Sequence, residues 1–175
     1  PTALPTLAPK TQRPTAATAA GSPTASPTSL SSTTSQFSVT QAFVNMQISN
    51  WNAASTNVQT VLKQAVTASM TGITVPDVVI TAQYQLDQSK RLPSDPVVLS
   101  TNGFPTVMVN YTVTYDPAEM GYTSSFQAYN RLAKQISDAT ISSRAYTTSF
   151  HQHAVDRQMS TVYTSDVYSP WSRVY

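Results

Sequence analysis

"TVMVNYTVTY", residues 106 to 115, decides the fold. Every second residue is apolar or aromatic: Val107, Val109, Tyr111, Val113 and Tyr115. Between them stand Thr106, Met108, Asn110, Thr112 and Thr114. A strand sends successive side chains to opposite faces, so this period of two puts the first set inward and the second outward. One covered face and one wet face is the mark of an antiparallel sheet. "DVVITAQYQLD", residues 77 to 87, has the same rhythm. Val78, Ile80, Ala82, Tyr84 and Leu86 share one side; Val79, Thr81, Gln83, Gln85 and Asp87 share the other. A polar loop with three prolines and Asn102-Gly103 joins the two strands.

Outward from this pair the period changes. In "NWNAASTNVQTVLKQAVTASM" (50 to 70), Val58, Val61, Leu62, Ala65 and Val66 recur at helical spacing. Asn52 or Ser55 is placed to cap the start, and Gly72 follows the end. "TSSFQAYNRLAKQISDA" (123 to 139) reads as a second helix, with Phe126, Tyr129, Ala133 and Ile136 as its stripe, Leu132 beside it and Ser124 or Ser125 as cap. "SQFSVTQAFVNMQI" (35 to 48) alternates through Phe37 and Val39, then on the other parity through Ala42, Val44, Met46 and Ile48. A bulge near Gln41 is expected from that switch. "YTTSFHQHAV" (146 to 155) reads as a short strand with Phe150 and Ala154 inward. The order strand, helix, strand, strand, helix, strand predicts an α+β fold. Two helices cover one face of a four-stranded antiparallel sheet, in the ferredoxin-like or split β-α-β manner. The expected module runs from 36 to 158, with an aromatic C-terminal tail over 159–175.

Residues 1 to 35 are different in kind. Six of the twelve prolines lie in the first 27 residues, and five of those six precede Thr. Pro fixes φ and removes a donor, so the composition favours polyproline II or extended chain. Ser/Thr-rich sequence with Pro is also the composition of O-glycosylated stalks, because an extended backbone presents every hydroxyl. Thr2, Thr6, Thr15, Thr24 and Thr28 are the expected acceptors. Ordering such a segment costs about 1 to 2 kcal/mol per residue. The arm is therefore expected to owe any fixed shape to a neighbouring copy or to attached sugar.

Composition narrows the function further. Charged residues are 10% of the chain, against about 25% in an average domain. Ten basic and eight acidic residues give a net charge of +2, and both excess cations, Lys10 and Arg13, lie in the arm. The remainder is neutral and shows no basic patch for nucleic acid. It offers little repulsion against self-association. There is no Cys, hence no disulfide or thiolate site. No apolar run reaches 18 residues, so no membrane span is expected. The chain begins at Pro1 rather than Met, which reads as a processed or partial chain.

"NGFPTVMVNYTVTY" (102 to 115) resembles the cleavage-loop region of SEA modules, in which Gly-Ser precedes a run of valines. Gly103 takes the Gly position, and Val107, Met108 and Val109 the valine run. The resemblance covers residues 36 to 155 in layout and about a dozen in motif. It implies a βαββαβ module in an extracellular, glycosylated setting beside a Ser/Thr/Pro stalk. Here Phe104, Pro105 and Thr106 follow Gly103. Self-cleavage needs a hydroxyl directly after the glycine, so none is expected.

Chemistry-bearing motifs are sparse. Asn110-Tyr111-Thr112 is the one N-x-[ST] acceptor for an N-linked glycan, on the outward parity of its strand. His151 and His153 would share a face of a strand but lack a third ligand, so no metal is expected. No phosphate loop, nucleophile elbow or paired carboxylates occur, so no enzyme and no cofactor other than covalent glycan is expected. Tyr163, Tyr168, Trp171 and Tyr175, together with Phe37 and Val39, are the expected interface residues. The reading that follows is a structural subunit of an extracellular glycosylated filament, partnered by itself and by glycan. The alternative is a monomeric stalked adhesion or carbohydrate-binding module.

Overall fold

The structure is a computed structural model of the 175-residue chain, and it describes residues 33–87, 103–159, 162 and, for the backbone alone, 166–173. The elements are β1 (Ser35–Val44), α1 (Ile48–Ala53), α2 (Ser55–Ser69), a 3-10 turn (Val75–Asp77), β2 (Val78–Gln85), β3 (Thr106–Tyr115), α3 (Ser125–Ser137), a π-helical segment (Asp138–Ser142), α4 (Ala145–Asp156) and β4 (Asp166–Arg173). The strands form one sheet in the order β2-β3-β1-β4. Every neighbouring pair is antiparallel. β1 and β2 therefore run the same way with β3 between them. The class is α+β, as the sequence indicates.

One core joins the sheet to α1, α2, α3 and α4. β3 follows its period: Val107, Val109, Tyr111 and Val113 are buried in that core, while Asn110, Thr112 and Thr114 are only partly covered. Met108 faces away from the helices, as its parity requires, yet it is buried. It packs with Ala42 and Leu86 in a small second cluster. An aromatic column locks the centre: the Phe43 ring meets Trp51 at 5.4 Å and Phe150 at 5.0 Å. Trp51 Nε1 donates to Gln83 Oε1 at 2.9 Å, so this buried indole satisfies its one donor. Ser124 caps α3, its Oγ accepting from the Gln127 amide at 3.2 Å. α2 has no side-chain cap, because α1 fills the space before it and Ala54 takes the N-cap position. Gly72 lies beyond α2 at φ +85, a left-handed turn that favours glycine.

Five expectations need correction. β1 carries no bulge against β3: the register is continuous from Ser35–Tyr115 to Val44–Thr106. Phe37, Val39, Gln41 and Phe43 all face the helices, and Gln41 is a buried polar residue inside an otherwise apolar row. The irregularity lies across from it, where β4 inserts an extra residue between the positions facing Thr40 and Ala42. That insertion falls at Ser169-Pro170, and a bulge on an edge strand is where proline is tolerated. β2 does carry a bulge, between Ile80 and Ala82. Its parity switches there, so Gln83 and Gln85 stand opposite Val109 and Val107, and Tyr84 stands opposite Met108 on the far face.

The α3 stripe is Ala128, Leu132 and Ile136, one face round from the expected one. Residues 145–156 form a helix instead of a strand. Tyr146, Thr147, Phe150 and Ala154 are its buried face, and their spacing of four admits a helix as readily as the even spacing admits a strand. His151 and His153 consequently do not share a face. The sheet's fourth strand comes from the aromatic tail, and Met159 and Val162 join the core. The boundary at 158/159 therefore gives way: the tail belongs to the module.

Gln41 leads to a buried polar group. Its Nε2 donates to Thr140 Oγ1 at 3.5 Å. Burial pushes the Tyr111 and Tyr146 phenols well above the ordinary value of 10.0, and Tyr146 adds to the rise at Tyr111 by charge repulsion. In the unfolded chain both ionise near 10.0, while in the fold both keep their protons. Their contribution is therefore complete below 10.0 and is lost as pH rises above it. Urea unfolding is expected to show stability falling beyond that point by about 1.4 kcal/mol per pH unit for each phenol. Tyr146→Phe is expected to reduce that slope by about half of the pair's share. A slope that Tyr146→Phe leaves unchanged contradicts the assignment.

Candidate interface and glycosylation site

The face of the sheet away from the helices is the first candidate surface. Ser38 and Thr40 of β1 stand opposite Thr112 and Asn110 of β3. Thr40 Oγ1 donates to Asn110 Oδ1 at 2.9 Å, and the Ser38 and Thr112 hydroxyls lie 3.5 Å apart. Thr81, at the β2 bulge, donates to the Asn110 carbonyl at 3.1 Å. The result is a band of hydroxyls and amides across three strands, all uncharged. Asn110 sits at its centre, partly exposed, and its contact with Thr40 uses Oδ1 rather than Nδ2, the atom to which an N-linked glycan is joined.

The edge of the sheet at β2 is the second. No described strand pairs with its outer side. Its sequence, VVITAQYQ, has no charge and no proline, and Val79 and Tyr84 are 52% and 44% exposed. Edges that avoid pairing usually carry Lys, Pro or an inward charge. The opposite edge, β4, has Asp166, Pro170, Arg173 and a bulge.

The third is a groove of about 470 Å³ beside the start of β1. It is lined by Thr34, Ser35 and Gln36, by Tyr115 of β3, and by Ser125, Phe126 and Tyr129 of α3. Tyr115 donates its hydroxyl to the Ser125 carbonyl at 2.9 Å, tying β3 to α3 within the lining. Tyr129 stands edge-on to Phe37 at 5.4 Å. Phe126 is 68% exposed, the most exposed large apolar side chain among those described.

Two of the residues expected at an interface are placed elsewhere. Phe37 and Val39 are buried under the helices of their own fold, so they offer nothing to a neighbour. Tyr168 and Trp171 lie in β4, opposite Ala42 and Thr40. Thr2, Thr6, Thr15, Thr24, Thr28, Tyr163 and Tyr175 lie outside the described residues. Among those described, no group of three or more His, Asp or Glu is placed to hold a metal. No described helix is long and apolar enough to cross a membrane. Thr106, the first hydroxyl after Gly103, is buried at the start of β3 and donates to the Phe104 carbonyl at 3.0 Å. Sequence reading missed the exposure of Phe126 and Tyr84. The available signal was Phe126 in the first turn of α3, where a side chain stands clear of the following turns.

Peptide mapping of chain from its native source is expected to find a glycan on Asn110. Release by an amidase that converts the linked Asn to Asp marks the site. An unmodified Asn110 throughout the population contradicts the assignment.

No family model, curated protein or solved structure matches this chain.

Proposed function

We propose that this chain is a structural subunit of an extracellular, glycosylated filament, joined head to tail through its N-terminal arm and through contacts between modules. The observation that carries the reading is the β2 edge: uncharged, free of proline and unpaired among the described residues, with the bulge between Ile80 and Ala82 as its one safeguard. A strand edge left in that state pairs readily with another chain. Neighbours meeting through unlike surfaces without closing a ring give a fibre. The neutral module supplies no repulsion to oppose this. The Pro/Thr-rich arm is more than thirty residues long, enough chain to take part in a contact between copies.

In this reading the module is SEA-like. The strand order β2-β3-β1-β4, all antiparallel, and the helices between β1 and β2 and between β3 and β4 support that assignment. The third helix, α4, departs from the simplest form of the layout. The extracellular setting and the O-linked sugars on the arm rest on composition and on this resemblance. Strand addition by "SSTTSQFSV" (31 to 39) is narrowed by the structure, because Ser35 to Val39 already belong to β1.

Full-length chain is expected to pellet on ultracentrifugation and to give fibres under negative stain. Val79→Lys places a charge on the β2 edge. It is expected to raise the concentration needed for assembly about tenfold, equivalent to roughly 1.4 kcal/mol per contact, with an unchanged circular dichroism spectrum. A single small species at every concentration tested contradicts the reading and favours a stalked monomer.

A further inference from the structure

We infer that the groove between the start of β1 and the start of α3 is the receptor for the Pro/Thr arm of a second copy of this chain. The inference deepens the filament reading and rests on it. Its first support is shape and chemistry. Its lining combines three aromatic side chains, Tyr115, Phe126 and Tyr129, with the hydroxyl and amide groups of Thr34, Ser35, Gln36 and Ser125. Polyproline II chain docks in aromatic-lined grooves: proline rings lie against the aromatic faces, and backbone carbonyls, which have no internal hydrogen bonds, accept from such hydroxyls and amides. The arm repeats Pro-Thr at residues 1, 5, 14, 23 and 27, so several registers present a ring and a hydroxyl together.

The second support is charge. No residue lining the groove is charged, and residues 1–32 hold only Lys10 and Arg13. The Pro-Thr steps at residues 1, 5, 23 and 27 lie away from both cations, and an uncharged groove takes such a stretch without desolvating an ionic group. The third is exposure. A phenylalanine 68% exposed beside a concave surface is otherwise an unfavourable contact with water. The fourth is reach. At the polyproline II rise of about 3.1 Å per residue, 32 residues extend to roughly 100 Å. That is several times the radius of gyration of about 14 Å for a domain of this size. An arm rooted on one module is long enough to lie in the groove of the next.

The test uses full-length chain carrying a photo-crosslinking phenylalanine analogue at position 126, mixed with an equal amount of isotope-labelled wild type. After irradiation, mass spectrometry is expected to find crosslinks from position 126 to residues 1–32 of the other isotopic copy. Crosslinks to the same copy's arm, to any surface within 33–175, or to sugar overturn the inference. A parallel variant, Phe126→Ser, is expected to raise the assembly concentration about tenfold or more while leaving the thermal midpoint and circular dichroism unchanged, since the side chain is mostly exposed. Fibres that form normally from Phe126→Ser also overturn it, and leave the filament reading standing on the β2 edge. Absence of fibres from wild type overturns the filament reading itself, and the crosslink pattern at high concentration then decides the groove separately.

Discussion

β1 is held on both sides. Its ten residues pair with β3 along one edge without a break, and Ser38 to Val44 pair with β4 along the other across a bulge. Its helix-facing row, Phe37, Val39, Gln41 and Phe43, lies under the helices. A central strand held in this way has its apolar row and most of its backbone taken up; Ser38 and Thr40 remain on the open face, and Ser35 and Gln36 line the groove. The rest of the molecule depends on that saturation. It fixes the first strand of the module at Ser35.

The same saturation sorts the remaining surfaces. β4 closes one side of the sheet with a charged, proline-bearing, bulged strand, a poor template for further pairing. β2 ends the other side without those safeguards, apart from a bulge that turns its second half over. The open face between them is a hydroxyl band centred on Asn110, well placed to be hydrated directly or through a glycan. The groove at the root of the arm is uncharged and aromatic. The β2 edge and the hydroxyl band share Thr81, while the groove lies at the start of β1 and of α3.

Much of this was legible in the residues, and the gaps have definite physical sources. β3 and α2 announced themselves because each keeps a single period from end to end. The α+β class followed from those two elements and their order. β2 misled because a bulge at Thr81 changes parity without changing composition: Gln83 and Gln85 look outward by counting, yet they face the helices and hold Trp51 and the Ile48 amide. Gln41 misled in the opposite sense. A polar residue on the inward parity suggested a slip in β1, whereas the strand is regular and the polar group is buried. α4 was hidden because Phe150 and Ala154 satisfy both periods. The groove was illegible in principle, since it joins residues 35 and 36 to 115 and to 125–129, and only tertiary contact brings them together. Of the expected interface residues, Phe37 and Val39 failed for the same reason that they were chosen: they are apolar, and the module uses them for itself.

Hydrogen exchange of the β1 amides, followed by mass spectrometry below and above the assembly concentration, tests the central claim most directly. The account expects residues 35 to 44 to be equally and strongly protected in the dispersed chain and in the polymer, with protection gained on assembly only at the β2 edge and in the arm. Protection of β1 that appears only in the polymer would mean that this strand is supplied by one copy to another, and would contradict the account.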